Sequence, residues 1–476
     1  MRTITDPSPA MPATAAVPAD AAWSGRLGTA GHAEAAWSGR AAAPPTGDAR
    51  PGPAVPGVPT GLPRLLAGID WRGGPTPLAR HRLAYPRPPR ARRAREELIA
   101  AVERSGLRGR GGASFPTGTK LRSVSTGRRP PVVVVNGAEG EPRSAKDKLL
   151  LTMAPHLVLD GALLAAAATG ARQVVVCVDQ SAAGALDAVG RALAERAHAE
   201  PGAPIRLAAV PSRYVAGEES ALVHWLNGGP AVPTRTPPRP YQRGVDGAPT
   251  LIDNVETLAH LAQVLRFGPD WFRQLGTAEE PGSALVTVSG AVERPGVYEV
   301  PIGAPLAELV DGAGGPPGGP TAVLVGGYFG SWLRADQAAA ARLSNAGLRG
   351  LGATLGCGAV VVLGERSCGL GETARILRWL AGQSAGQCGP CVYGLATVAR
   401  ATAALHDGAA GPEAVGQLWR WAGQIDGRGA CRLPDGAVRL LRSALHVFAA
   451  DIHDHLRDRS CPSAGDAPTR GGRRWR

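Results

Sequence analysis

Short apolar runs alternate with longer stretches of helical periodicity in the first half of the chain. The run PPVVVVNGAEGEP (130–142) predicts a buried strand that ends in a polar loop. Further strands are predicted at 173–178 and 205–210, with helices at 155–170 and 181–198. Because parallel, doubly wound sheets are built from strands that alternate with helices, the pattern predicts a Rossmann-like α/β domain. Such sheets bind ligands beyond the carboxyl ends of their strands.

Two other patterns follow along the chain. After Ala284 the sequence predicts a β-hairpin that turns at ERPG (293–296) and then a short helix, which is typical of a small β-grasp module. The remaining pattern is helical, with predicted helices at 372–383, 392–406, 413–424 and 435–457. Four helices joined by short loops predict a four-helix bundle.

The predicted domains are therefore three. We expect an α/β domain at 61–275, a β-grasp (SLBB-like) domain at 276–365 and a helical bundle at 366–460. Residues 1–60 are rich in Ala, Pro and Gly and are expected to be disordered, and a basic tail follows at 461–476. The duplicated AAWSGR within the first 60 residues is interpreted as low-complexity duplication, with a short docking motif as the alternative.

The positive charge of the chain is local. The formal net charge is +13, but seven arginines lie within 80–95 and four within the last seven residues. Neither segment has helix-turn-helix patterning or paired zinc knuckles, so nucleic-acid binding is the disfavoured alternative. The other basic residues include the chain's three lysines, Lys120, Lys146 and Lys148, which all fall in one short window. A lysine kept in such an Arg-rich chain suggests a need for a compact point charge.

Cysteine usage and hydropathy indicate the compartment. The seven cysteines are few and odd in number, which disfavours a disulfide framework and favours a reducing environment. The N-terminus lacks the apolar core of a secretory signal, and the chain has no run of 18 apolar residues. We expect a cytoplasmic protein that associates with a membrane complex, if at all, through its partners.

A glycine-rich loop, GLRGRGGASFPTGTK (106–120), precedes the first predicted strand. Glycines allow the backbone to approach a ligand closely and to present its N–H groups, and Lys120 at the end of the loop can pair with a phosphate. The spacing is not that of a Walker loop. The alternative is a loop of purely structural importance.

Two acidic segments lie near the predicted crevice. The strand at 132–135 runs into Asn136, Glu139 and Glu141, which can hydrogen-bond a flavin or a ribose, or form an ordinary acidic loop. YVAGEE (214–219) precedes a helix, and its paired acids are either ligand-binding groups or helix caps.

GQCGPC (386–391) and Cys431 bring together three thiols on two loops between helices. This spacing is typical of an iron–sulfur or zinc site. A zinc site needs a fourth ligand, whereas three thiolates suffice for a three-iron cluster or a cubane with one open iron. The alternative is a redox-active dithiol.

Taken in order, these motifs resemble the NADH-oxidising flavoprotein (the F subunit) of respiratory complex I and its relatives in soluble hydrogenases and formate dehydrogenases. The resemblance covers about Arg95 to Leu456 and rests on SGLRGRGGASFPTG, NGAEGEP, KDKLLL, PHLVLDGALLAA, YVAGEES, DNVETLAH, the β-grasp module and GQCGPC. It implies that FMN accepts hydride from NADH and that a [4Fe–4S] cluster in the helical bundle then takes single electrons. It also implies a redox partner subunit, such as a thioredoxin-like [2Fe–2S] protein.

The resemblance assigns roles residue by residue. The positions that would hold FMN are Gly109, Gly111, Gly112, Lys120, Asn136, Tyr214, Gly217, Glu218 and Asn254. Phe115, Glu141 and Glu219 would border the NADH pocket, with the two glutamates as the candidate catalytic residues. Cys388, Cys391 and Cys431 would ligate the cluster.

The chain departs from the family pattern at both centres. Ala385 stands where the family has its first cluster cysteine, and Cys368 is expected at the wrong end of a helix to replace it. We therefore expect three protein ligands, with a [3Fe–4S] cluster or a [4Fe–4S] cluster bearing a non-cysteine fourth ligand. At the nucleotide site the departures are Ser114, Ala138, Thr236, Arg239 and Asp253. They keep two alternatives open: another electron donor or acceptor, or a catalytically silent redox scaffold.

Overall fold

The computed structural model describes residues 61–71, 73–85, 95–127, 129–199 and 205–458. The predicted disordered segment at 1–60, both AAWSGR copies and the basic tail at 461–476 lie outside the described residues.

The first unit is built on a four-stranded, all-parallel sheet, as the sequence predicted. Its strands are β1 (Val132–Gly137), β2 (Gln173–Asp179), β3 (Ile205–Val210) and β4 (Thr250–Asn254), in the order β3-β2-β1-β4. Asn136 pairs in register with Asn254. The carboxyl ends of β1 and β4 thus lie side by side, and both carry residues assigned to the flavin.

Helices cover this sheet. They are α1 (Leu78–Ala84), α2 (Arg95–Ser105), α3 (Thr117–Ser125), α4 (Lys146–Met153), α5 (Pro155–Thr169), α6 (Ala183–Ala199), α7 (Glu219–Leu226), α8 (Val255–Phe267) and α9 (Pro269–Phe272). Helices α5 and α8 cross closely because Gly161 has no side chain. A Cβ at this position would lie 1.9 Å from the carbonyl oxygen of Leu258. Both helices are almost wholly buried, which explains the apolar run at 157–171.

The second unit is a five-stranded mixed sheet in the order β6-β5-β9-β7-β8. Its strands are β5 (Ser283–Gly290), β6 (Gly296–Pro301), β7 (Ala322–Val325), β8 (Ser331–Arg334) and β9 (Ala359–Leu363). The predicted hairpin is confirmed as the antiparallel pair β5–β6. Short helices connect the strands: α10 (Leu306–Gly312), α11 (Ala335–Ala340) and α12 (Asn345–Arg349).

The C-terminal unit is helical, as predicted. It contains α13 (Gly369–Gly382), a π-helical turn (Pro390–Leu395), α14 (Ala396–His406), α15 (Ala414–Ile425), α16 (Leu433–Val447) and α17 (Ala449–Asp458). The single helix predicted over 435–457 is divided at Phe448, whose ring is buried and lies edge-on to Trp332, with centroids 5.3 Å apart. The Phe448 ring thus packs against β8 at the point where α16 ends and α17 begins.

Among the described residues, no single helix is long and apolar enough to cross a membrane. The pair α4 and α5 meets the length and composition test together, but it is bent by 97°.

Candidate functional site

The glycine-rich loop lies over the carboxyl end of β4. Arg110 N–H donates to Thr257 Oγ1 (2.8 Å), and a Cβ on Gly111 would lie 3.3 Å from Asn254 Cβ. Gly112 has a φ of +110°, which a side chain would oppose, and it faces the loop of the second sheet at Gly356. Gly111 and Gly112 are solvent-exposed, so their backbone is open to a ligand. The loop is therefore a cradle at the predicted crevice.

Lys120 lies beneath this cradle, between two carboxylates. Its Nζ is 2.7 Å from Glu219 Oε1 and 3.4 Å from Asp253 Oδ1, and it also donates to the carbonyl of Ile252. Burial lowers the pKa of Lys120, but the charges of Asp253 and Glu219 outweigh burial and leave the pKa raised. The cation is thus held charged by the chain's own acids.

Asp253 is the acid that the family pattern does not predict. It is buried, and its Oδ2 has no hydrogen-bond partner among the described atoms. Burial raises the pKa of Asp253, and Lys120 opposes the rise. An unsatisfied buried carboxylate oxygen is costly, so this atom marks a place where a ligand group or water is needed.

A buried charge network supports the cradle from below. Lys146 Nζ lies 2.8 Å from Asp147 Oδ1, 3.0 Å from Glu256 Oε2 and 3.2 Å from Asn254 Oδ1. Glu256 also accepts from Leu285 N–H, which ties α8 to the second sheet (2.8 Å). Burial raises the pKa of Glu256, but Lys146, His260 and Arg110 together outweigh burial and hold the pKa at about 2. The network fixes the Asn254 side chain that faces Gly111.

This network was not predicted from the sequence. Lys146 was recognised only within a family motif and Lys148 had no assigned role; Lys148 pairs with buried Glu139, whose Oε2 is 3.6 Å from its Nζ. The rarity of lysine in the chain was the available signal. Pairing of Lys146 with Glu256, which lies far along the chain on α8, follows no local pattern.

Replacing Lys146 with methionine is expected to lower the free energy of unfolding by about 3–5 kcal/mol, because Asp147 and Glu256 would keep buried charges without their cation. Chemical denaturation of the full chain measures this. Arg122→Met is the matched control, because it also removes a cation from a carboxylate, Glu103, at 2.7 Å. That ion pair lies on the surface. Equal effects of both substitutions would contradict the structural importance of the network.

Glu141 joins the first unit to the second. Its Oε2 accepts from Tyr328 N–H (2.9 Å) and from the Tyr214 hydroxyl (3.4 Å), and its Oε1 accepts from Arg143 N–H (3.1 Å). Burial raises the pKa of Glu141 to about 7, and these hydrogen bonds limit the rise. A carboxyl group with a pKa near 7 in a crevice is typical of a functional acid or base.

The raised pKa has a consequence for stability. The folded chain keeps the Glu141 proton up to about pH 7, whereas the unfolded chain loses it near pH 4.5. The free energy of unfolding should therefore fall by about 3 kcal/mol between these pH values. Glu141→Gln should remove this decline. Denaturation of both proteins from pH 4.5 to 8 measures it as the free energy of unfolding of the wild type minus that of the variant. A difference that is constant with pH would contradict it.

The two acids of YVAGEE, Glu218 and Glu219, have different partners. Glu218 caps α7, where its carboxylate accepts from Ser220 N–H and Ala221 N–H (3.0 Å each). Glu219 instead reaches Lys120. Glu218 thus caps the helix in this structure, and Glu219 lies beside Lys120.

The remaining assigned residues surround the same crevice. Asn136 Nδ2 donates to Gly217 O (2.8 Å), which ties the end of β1 to the YVAGEE segment. A Cβ on Gly217 would lie 2.7 Å from the Ala138 carbonyl, so this position requires glycine. Tyr214 packs against Phe329 rather than lying open to solvent (centroids 4.7 Å apart).

The open side of the crevice carries the NADH candidates. Phe115 is 51% exposed and therefore presents a stacking surface. Thr236 and Arg239, two of the departures from the family pattern, are also exposed.

The three cluster cysteines approach one another in the helical unit. Cys391 N–H donates to Cys388 O (3.1 Å). Burial raises the pKa of the Cys391 thiol to about 12, with further contributions from Cys388 and Cys431. Among the described residues, no three His, Cys, Asp or Glu side chains are arranged to hold a single metal ion. A cluster that spans several irons accepts more widely spaced thiolates than one ion does.

Cys368 lies where the sequence placed it, at the other end of α13. It caps the N-terminus of that helix, whereas the cysteine loop follows its C-terminus. The length of α13 thus separates Cys368 from the cysteine loop.

Family models match most of the described chain. Residues 102–263 match the Nuo51 FMN-binding domain, 285–327 match the SLBB domain, and 364–455 match the NADH-ubiquinone oxidoreductase-F iron-sulfur binding region. The β-grasp-like unit and the helical unit thus correspond to the modules that the sequence predicted.

Curated relatives and solved structures agree with this assignment. The NADH-quinone oxidoreductase F subunit 2 of Rhizobium meliloti is 33% identical over 381 residues, which are 77% of this chain and 90% of that protein. The corresponding F subunit of Mycobacterium tuberculosis is 33% identical over 390 residues, or 77% and 86% of the two chains. A crystal structure of NAD+-reducing [NiFe]-hydrogenase in the H2-reduced state superposes with a TM-score of 0.70 at 32% identity, covering 78% of this chain and 63% of that chain. The chain therefore belongs to the family of NADH-quinone oxidoreductase F subunits.

Proposed function

We propose that the chain oxidises NADH through FMN and passes single electrons to an iron–sulfur cluster and then to a partner protein. One observation carries this proposal: the crevice of the first unit contacts the cysteine loop directly. Arg213 Nη2 donates to Ser384 O (3.1 Å), Tyr214 N–H donates to Gln383 Oε1 (2.9 Å), and Glu218 is close enough to raise the pKa of Cys431. A flavin in the crevice and a cluster on the thiols would thus be neighbours.

FMN is the cofactor that the crevice fits. The exposed glycine backbone, the amides of Asn136 and Asn254, and the cation of Lys120 supply complementary groups to a phosphate and a polar ring edge. We assign FMN binding to Gly109, Gly111, Gly112, Lys120, Asn136, Tyr214, Gly217, Glu218 and Asn254. When bound, FMN supplies two-electron acceptance from a nicotinamide and one-electron release.

The residues of the open side would place NADH. Phe115 offers a face for stacking, and the planar guanidinium of Arg239 is an alternative stacking surface to the aromatic residue of the family. Glu141 would hold or release a proton beside the crevice, and Glu219 would orient Lys120. The task of the protein is placement, since the redox chemistry belongs to the cofactor.

The helical unit would hold the cluster through Cys388, Cys391 and Cys431. The fourth position of the family is Ala385, which has no donor atom in its side chain. We propose either a [3Fe–4S] cluster or a [4Fe–4S] cluster with a non-cysteine fourth ligand. Metal must displace the thiol protons, because burial keeps the pKa of Cys391 and Cys431 raised.

The relatives are named as subunits, which supports a partner protein for this chain. We propose that the partner is a thioredoxin-like [2Fe–2S] protein. The proposed location is the cytoplasm. The domain limits proposed are 61–275, 276–365 and 366–460. One observation favours a second function, a redox scaffold that does not bind flavin. Lys120 is already paired with Glu219 and Asp253, so less of its charge is left to attract a phosphate.

Absorption spectra under argon test the proposed function. Full-length protein incubated with FMN should retain a flavin band, and NADH should bleach it. A protein that stays colourless after reconstitution would establish the redox scaffold, and a flavin band that dithionite but not NADH bleaches would establish another donor.

A further inference from the structure

A cavity of about 530 Å³ lies between the edge of the second sheet and the last two helices. It shares no lining residue with the glycine-rich loop or the cysteine loop. Its wall contains Cys368 at the start of α13 and His455 on α17. It also contains four acids: Asp336, Glu365, Asp451 and Asp454.

The sulfur of Cys368 is held at the amino end of a 14-residue helix. Gly371 N–H points at Cys368 Sγ, with a donor–acceptor distance of 3.3 Å. The positive end of a helix dipole and a backbone donor both stabilise a thiolate over a thiol. Cys368 is partly exposed at the cavity wall, so a small molecule in the cavity can reach it.

His455 supplies a base for this thiol. Its Nε2 lies 3.4 Å from Cys368 Sγ, its side chain is 1% exposed, and its Nδ1 has no hydrogen-bond partner among the described atoms. Burial, followed by the charge of His406, lowers the pKa of His455, whereas Asp451 and Asp454 oppose this. The imidazole is therefore neutral at pH 7 and able to accept a proton.

We propose that Cys368 and His455 form a nucleophilic dyad that reacts with small uncharged electrophiles, hydroperoxides in particular. His455 Nε2 takes the thiol proton as the sulfur attacks one peroxide oxygen. The S–O bond forms as the O–O bond breaks, and the leaving hydroxide takes the proton from His455 and departs as water. The cysteine is oxidised to a sulfenic acid and hydrogen peroxide is the oxidant.

The charge of the cavity selects the electrophile. Arg334 is the cation of the wall, and its Nη2 is paired with Asp336 Oδ2 (2.6 Å). Glu365 and Asp451 also line the space, together with Asp454, which pairs with Arg457 at 3.1 Å. An anionic reagent should therefore reach Cys368 more slowly than a neutral reagent of the same size.

Peptide-level mass spectrometry of the full-length protein tests the dyad. Neutral iodoacetamide should alkylate Cys368 at least ten-fold faster than Cys357, whose thiol has a pKa raised well above its ordinary value by burial. Iodoacetate should be slower than iodoacetamide at Cys368. Hydrogen peroxide followed by dimedone should label the Cys368 peptide.

Two probe variants and one control variant separate a Cys368–His455 dyad from simple exposure of Cys368. His455→Gln should slow alkylation of Cys368 at pH 7 at least five-fold and move its pH midpoint upward. His453→Gln, an exposed position on the same helix, should leave both unchanged. Because His455 is buried, its substitution can also disturb the fold, so the exposed Asp451 provides a second probe. Asp451→Asn should reduce the difference between the rates at which iodoacetamide and iodoacetate alkylate Cys368. Reaction of Cys368 no faster than Cys357, or an unchanged rate in His455→Gln, would overturn the proposal.

Discussion

Replacing Cys431 with alanine is expected to remove most of the iron and labile sulfide from anaerobically purified protein. Among the described residues of the helical unit, three thiols approach one another, and loss of one leaves two cysteine donors for the cluster. We expect bound iron to fall at least roughly ten-fold, since even loss of a residue that only orients a ligand weakens metal binding by about 10–100-fold. Colorimetric iron and sulfide analysis measures the change.

Two further variants make that test specific. Cys368→Ser should leave the iron content unchanged, because Cys368 caps the opposite end of α13 from the cysteine loop. Ala385→Cys supplies a thiol at the position of the missing family ligand and should slow the loss of iron to a chelator. Iron that persists in Cys431→Ala would remove Cys431 from the proposed ligand set.

Replacing Asp253 with asparagine is expected to tighten FMN binding roughly ten-fold, or about 1.4 kcal/mol. Asp253 is buried beside Lys120, and a carboxylate there both neutralises the cation and repels a phosphate. Because burial raises the pKa of Asp253, wild-type affinity should rise as the pH falls and this acid is protonated. The asparagine variant should lack that contribution.

Fluorescence titration of FMN-depleted, full-length protein measures this effect. Riboflavin is the control ligand because it has the ring system of FMN without the phosphate, so the substitution should leave riboflavin affinity unchanged. Equal gains for FMN and riboflavin, or no gain for either, would show that Asp253 does not face the phosphate.

The fold was predictable where a local pattern carries it. Strand Ile205–Val210 has the predicted bounds, and the hairpin β5–β6 turns around the predicted Pro-Gly, because short apolar runs and a Pro-Gly turn are local signals. The break at Phe448 was not predictable. Apolar periodicity continues from α16 into α17, and the packing of Phe448 against Trp332 on β8 joins residues that are far apart in the sequence.

The candidate site was predictable in its motifs but not in its internal pairing. The glycine-rich loop and YVAGEE do meet at one crevice. Sequence could not tell that Glu218 caps a helix while Glu219 reaches Lys120, because neighbouring acids point in different directions only once α7 has formed. The Lys146–Glu256 pair was missed for a related reason, since it joins distant segments through burial.

Low-temperature EPR spectroscopy can follow electrons from NADH to the cluster. Spectra of FMN-loaded protein are recorded under argon before and after addition of NADH, and again after dithionite. We expect NADH to change the cluster signal as dithionite does, and we expect Cys431→Ala to lack this signal. A flavin band that NADH bleaches while the cluster signal changes only with dithionite would contradict a shared electron path between the crevice and the three cysteines.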